Sequence, residues 1–280
     1  MKKLKLLDTF SGIGGFSYAA EKLVGGFETT QFIEIDPYCQ KVLKKHWPDV
    51  PIHDDIKTFT AKPFQYDVIC GGFPCQDLSQ AGRKKGITET SRSGLWFQLL
   101  RTIRMVRPKY FILENVSAIL SNGLDIVLRD IYETGSYECS WATFPASYLG
   151  AAHQRDRWYL LGISTDTDSF GYRRGSSERC AIQERKLLQS ERQGREVGSE
   201  TQRCSTWLHN QKWRTTKHQL NPNWREYDVK PTIQRTADGV SARLDKSRIK
   251  ALGNSLVPQA AAIPLQRVKD LHEQLTSVDD

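Results

Sequence analysis

Apolar runs and helical patterns alternate through the first 165 residues, and this alternation constrains the fold more than any other feature. Lys5 to Phe10 is an apolar run ending in Ser11-Gly12-Ile13-Gly14-Gly15, and a helical pattern follows through Ala19, Ala20 and Leu23. Thr29 to Ile35 reads as a second strand, and Pro37 suits the first turn of a helix running to Trp47. Val50 to His53, Tyr66 to Cys70 and Tyr110 to Leu113 read as strands three to five. Gly94 to Val106 is helical, with Pro108 marking its end, and Leu124 to Tyr132 is a further helix. Glu138 to Thr143 and Trp158 to Ile163 read as paired late strands. Repeated strand–helix units imply an α/β fold, a mostly parallel sheet with helices on both faces.

The texture changes near Ser164. From there to Arg235 the chain is polar, rich in Arg, Gln, Ser and Glu, with no sustained period, and Trp207, Trp213 and Trp224 lie among Lys212, Arg214, Lys217 and Arg225. Regular order returns near Ile249, and Val257 to Leu275 reads as a final amphipathic helix. The division expected is 1–165 as a catalytic, cofactor-binding domain, 166–234 as a small irregular insert, and 235–280 as a segment returning to the first domain. The net charge of +8 is compatible with a polyanionic partner. No apolar run reaches the roughly 20 residues a membrane span needs. Asp8 and the Ser/Gly run after it interrupt any secretory leader, so a first strand is expected there. The six cysteines form no C-x-x-C pair and no cluster with zinc spacing, so no metal is expected. Cys39, Cys70 and Cys139 read as buried small hydrophobes, a pattern suited to a reducing, cytoplasmic setting.

Five blocks carry chemistry. In Asp8 to Phe16, glycines between strand and helix let the backbone approach a ligand, although a plain strand–helix turn has the same look. Glu34 follows 20 residues after Gly14, at the end of the second strand, where a carboxylate can take a ribose diol. The third glycine of the dinucleotide fingerprint is missing, which argues against a pyrophosphate ligand. Asp54 and Asp55 follow the third strand, where one could accept from an adenine amino group or simply form a solvated turn. In Gly71-Gly72-Phe73-Pro74-Cys75-Gln76 a thiol stands on a tight loop at a strand end, as a nucleophile would. It needs a lowered pKa, and Arg155 and Arg157 are candidate neighbours. Glu114, in Phe111 to Val116, sits at the same edge of the sheet, with helix capping as its bland alternative. Gln154-Arg155-Asp156-Arg157 is by default a solvated charge run, but extended alternation would put both arginines on one side. Ala251 to Gln259 reads as a loop leading into the last helix.

In order and spacing these blocks resemble those of the DNA (cytosine-5)-methyltransferases, over 1–165 and 235–265. His153 stands where many members have Gln. The resemblance implies an S-adenosylmethionine-dependent, Rossmann-like fold with 166–234 as target-recognition domain. It also implies methyl transfer to carbon 5 of cytosine within a specific short duplex sequence, on a flipped-out base. Cys75 would be the nucleophile, Glu114 the acid at ring N3, and Arg157 the holder of base and carboxylate, with Arg155 beside them in the catalytic set, acting on substrate or on structure. Phe10, Gly12, Gly14, Glu34, Asp55, Pro74, Leu95 and Asn254 would line the S-adenosyl-L-methionine site. Ser79, Arg83, Lys84 and Arg92 would lie on a loop closing over the DNA backbone. The protein is expected to act as a monomer, with a separate restriction endonuclease as a candidate partner. RNA methylation on the same scaffold and a binding-only role are the competing readings. Intact Cys75, Glu114 and Arg157 argue against the latter.

Overall fold

The computed structural model describes residues 2–74, 94–151, 155–166 and 242–276. Seven strands form one sheet: β1 (Leu4–Thr9), β2 (Phe27–Ile33), β3 (Ile52–His53), β4 (Val68–Gly72), β5 (Tyr110–Val116), β6 (Tyr137–Phe144) and β7 (Arg157–Ser164). Their spatial order is β3-β2-β1-β4-β5-β7-β6. The first five pair in parallel, as the βα alternation predicts, whereas β7 runs antiparallel between β5 and β6. This reversal brings the start of β7 to the edge where the parallel strands end, so Arg157 pairs with Val116.

Helices cover both faces. On one, α3 (Leu95–Val106) and α4 (Leu124–Tyr132) bury Trp96, Leu99, Ile103, Val127 and Ile131 against Leu7, Ile69, Phe111 and Leu160. On the other, Phe16, Ala19 and Ala20 meet Leu6, Val68, Ile112 and Leu161. These three belong to α1 (Gly15–Tyr18) and its π-helical continuation, Ala19–Val24. The last helix, α6 (Pro258–Thr276), lies on that face through Ala261, Leu265 and Val268. The opposite orientation of successive side chains on each strand explains the two apolar clusters.

Helix α2 (Pro37–His46) starts as the sequence predicts: Pro37 fills its first turn and the Asp36 carboxylate accepts from the Tyr38 N–H. One element was not anticipated. Ala242–Asn254 forms a helix, α5, where a return to order only near Ile249 and then a loop were expected. Its many charged residues gave no clear apolar stripe to read. Among the described residues no helix is long and apolar enough to cross a membrane, and no cluster could hold a metal ion.

Candidate active site

The glycine loop after β1 is shaped by backbone that ordinary residues avoid. Phe10, Gly12 and Gly14 all have positive φ, at 52°, 54° and 86°. A Cβ on Gly14 would lie 2.6 Å from the Trp47 ring, and one on Gly15 would lie 2.9 Å from Leu256. Nothing approaches within 4 Å of the same position on Gly12, so the loop is open there. Glu34, just past β2, fastens the loop. Its Oε2 accepts from the Gly12 N–H at 2.7 Å and its Oε1 from the Asp36 N–H at 2.7 Å. Burial raises the Glu34 carboxyl above its ordinary value, and these N–H groups partly offset that. Ile35 beside it is 68% exposed, an apolar side chain left facing solvent at the strand edge.

Asp8 lies beneath the loop, fully buried. Its Oδ2 accepts from the Ser17 N–H and hydroxyl, while its Oδ1 has no partner among the described residues. Burial pushes this carboxyl up to about 7 against the pull of Ser17, with Glu34 and Glu21 adding to the rise. Asp55 accepts from the Lys57 N–H through Oδ1, closing a local turn. Arg101 holds that turn from below by donating to the Ile56 and Phe59 carbonyls. Leu95 opens α3, half-buried against the core, and Asn254 is the exposed last residue of α5.

The other half of the site stands on β4, β5 and β7. Glu114 is opposite Gly72 on β4 and opposite Tyr159 on β7. Its Oε1 accepts from the Arg157 Nε at 2.9 Å, with the two side chains 14% and 19% exposed. Its Oε2 lies 2.8 Å from where a Cβ on Gly72 would be, so glycine makes room for the carboxylate. Burial raises the Glu114 carboxyl, and the opposing pulls of Arg157 and Arg155 do not cancel that. Asn115, buried next door, donates from Nδ2 to the Phe73 carbonyl and so ties the end of β5 to the chain at half-buried Pro74.

Arg155 departs from the extended alternation expected of it. Its φ is +40°, which turns the chain just before β7. Its guanidinium donates to the Gly253 carbonyl at 2.9 Å and also to the Ser255 carbonyl. Burial, and then Arg157, lower its pKa, against the pull of Glu114. Asn115, Arg101 and Leu256 are the contributors that sequence reasoning passed over. Asn115 and Leu256 lay within blocks already singled out, whereas Arg101 carried no signal at all. Cys75, Ser79, Arg83, Lys84 and Arg92, and the insert 167–234, lie outside the described residues. Cys39 and Cys70 are buried free thiols, as expected of fillers, whereas Cys139, expected to be buried too, is only half-buried on β6. Burial pushes Cys39 up to about 12 and Cys70 well above its ordinary value, which makes both poor nucleophiles.

The family model described as C-5 cytosine-specific DNA methylase matches residues 4–269. This chain belongs to that family. Among its curated relatives, the type II methyltransferase M.CviJI of a Paramecium bursaria Chlorella virus is 39% identical over 166 residues, covering 58% of this chain and 44% of that protein. The orphan methyltransferase M.SPRI of Bacillus phage SPR is 32% identical over 173 residues, covering 59% of this chain and 39% of that protein. The chain thus spans under half the length of these curated relatives. A solved methyltransferase of Entamoeba histolytica superposes over 100% of both chains with a TM-score of 0.56 at 16% identity, which supports the fold.

Proposed function

We propose that this chain transfers a methyl group from S-adenosyl-L-methionine to carbon 5 of cytosine within a short duplex DNA sequence. The observation that carries the reading is the partly buried Glu114–Arg157 pair. It stands at the carboxyl edge of the sheet, one strand from the Gly71-Gly72-Phe73-Pro74 run that leads into Cys75. The family match supports the same chemistry.

The loop residues fit a nucleoside-type methyl donor. Gly12 leaves open space beside the backbone, Glu34 presents a carboxylate at the strand end, and exposed Ile35 offers an apolar face next to it. We assign Phe10, Gly12, Gly14, Glu34, Asp55, Pro74, Leu95 and Asn254 to this site. S-adenosyl-L-methionine supplies an electrophilic methyl group when bound there.

The chain's own residues prepare the base. A thiolate at Cys75 adds to carbon 6 of a flipped-out cytosine, which makes carbon 5 enamine-like. Glu114, its carboxyl raised by burial, holds a proton toward ring N3 and stabilises the charge that develops on the ring. Arg157 fixes the Glu114 carboxyl through its Nε, donates from Nη1 to the Asp156 carbonyl, and keeps Nη2 for the base. Once carbon 5 carries the methyl group, its proton passes to solvent, the freed pair re-forms the carbon 5–carbon 6 double bond, and the bond to the Cys75 sulfur breaks to restore the thiolate. Ser79, Arg83, Lys84 and Arg92 are assigned to the DNA backbone. The segment 166–234 is assigned to reading the sequence, between 1–165 and 235–280, with the protein acting as a monomer.

The test is methyl transfer from labelled S-adenosyl-L-methionine to duplex DNA, with wild type beside Cys75→Ser, followed by bisulfite sequencing. Label on DNA that vanishes in the variant, with protected cytosines in one short motif, is the expected result. Label on RNA in place of DNA would overturn the substrate assignment, and label that survives Cys75→Ser would overturn the mechanism.

A further inference from the structure

The end of α5 and the turn leading into α6 touch three separate parts of the site. Leu256 packs on Gly15 of the glycine loop, closely enough that a Cβ there would be 2.9 Å from it. Lys250, on the last turns of α5, donates to Asp36 Oδ2 at 2.7 Å, two residues beyond Glu34. The third contact comes from the opposite half of the molecule, where the Arg155 guanidinium reaches the Gly253 and Ser255 carbonyls on either side of Asn254. These carbonyls lie at the C-terminal end of α5, where helical acceptors lack intrahelical donors and a cation is favoured.

Arg157 donates to Glu114, whereas a terminal nitrogen of Arg155 is engaged by the Gly253 and Ser255 carbonyls, and the chain bends at Arg155 with a positive φ. We propose that Arg155 is a positioning residue for the cofactor side of the site. By gripping the carbonyls around Asn254, it holds the α5–α6 turn against the glycine loop and so sets the affinity for the methyl donor. Arg155 and Arg157, two residues apart, thereby serve opposite halves of the reaction. The inference rests on the proposed cofactor reading.

The test is calorimetric binding of S-adenosyl-L-homocysteine, the unreactive analogue, to the full chain without DNA. Arg155→Ala is expected to weaken binding about tenfold, the size of one or two charge-assisted hydrogen bonds lost. Arg155→Lys, able to reach one carbonyl at a time, is expected to recover part of that loss. Arg157→Ala is expected to bind the analogue within about twofold of wild type while losing turnover. Amide hydrogen exchange at 253–256 should quicken in Arg155→Ala and leave β5 and β7 unchanged, a readout that general misfolding would not produce. Should Arg155→Ala fail to fold, Arg155→Lys and Leu256→Ala carry the comparison, each expected to weaken analogue binding. Analogue affinity unchanged in Arg155→Ala, or lowered equally in Arg157→Ala, would overturn the inference. A wild-type chain that binds no analogue would instead sink the cofactor reading, and this inference with it.

Discussion

Two carboxylates, Glu34 and Glu114, stand at the same edge of one sheet and are held in opposite ways. Glu34 is gripped by backbone N–H groups from Gly12 and Asp36, and no guanidinium or ammonium bonds to it among the described residues. Glu114 is gripped by a side chain, the Arg157 guanidinium, reaching over from an antiparallel strand. The first arrangement is local and neutral, made by a loop whose shape the glycines fix. The second is long-range and charged, and exists only once β5 and β7 are in register. A ligand that exchanges with the Glu34 partners must replace neutral N–H donors on a buried carboxylate, whereas disturbing the Glu114 pair leaves the partly buried Arg157 charge without its partner.

The largest effect that could break this contrast is at Glu114. Glu114→Gln keeps the shape and removes the titratable proton, so kcat should fall by roughly 10²- to 10⁴-fold. The sign of the pH dependence follows from the raised carboxyl. The acid form works and is lost as pH rises through the raised pKa, so wild-type rate should decline on the alkaline side and the Gln variant should lack that decline. A pH–rate profile of both proteins checks it, and identical alkaline limbs would refute the role given to Glu114.

Next comes Gly72→Ala, whose added methyl would sit 2.8 Å from Glu114 Oε2. Displacing that carboxylate from Arg157 should cost about 10²-fold in turnover while leaving cofactor-analogue affinity unchanged. Equal losses in both measurements would mean that the two halves are not separable.

Asp8→Asn sharpens the comparison from the loop side. Because the folded-state carboxyl is pushed up to about 7 from an ordinary 3.8, the folded protein holds this proton tightly. Stability from Asp8 is full in acid and is lost as pH climbs through about 7. The Asn variant should escape that loss, gaining on wild type between pH 4 and 8 by about 4 kcal/mol at most. Urea unfolding at several pH values measures it, and a constant difference would show that Asp8 does not titrate in this range.

The smallest effect is expected at Tyr159, whose buried hydroxyl has no partner among the described residues. Tyr159→Phe should be neutral or stabilising by up to about 1 kcal/mol, since it removes an unpaired polar atom and keeps the ring stacked on Phe144. A loss of stability or of turnover would reveal a use for that hydroxyl.

The two halves also differed in how far they could be read in advance. The glycine loop and Glu34 were legible because close backbone approach leaves glycines at fixed offsets from a strand. Glu114 was legible as a carboxylate at a strand end, but its pairing with Arg157 was expected only through the family resemblance, since nothing local encodes the register of an antiparallel strand some 40 residues away. Arg155 was misplaced for a related reason. Period-two reasoning assumes extended backbone, and the chain bends at that residue before β7 begins. Helix α5 escaped notice because charged residues line much of it, and its anchors, Asp36 and Arg155, are far away in sequence.

Trp47 turns the tight packing of the glycine loop into something that can be seen. Its indole ring closes over Gly14, lies edge-on to Phe32 at 5.4 Å, and donates from Nε1 to the Glu21 carboxylate. An indole's emission shifts colour and brightness with the polarity and charge around it. A chain in which the other tryptophans are replaced by phenylalanine would carry its own lamp beside the loop, reporting the arrival of a ligand in real time without label or radioactivity.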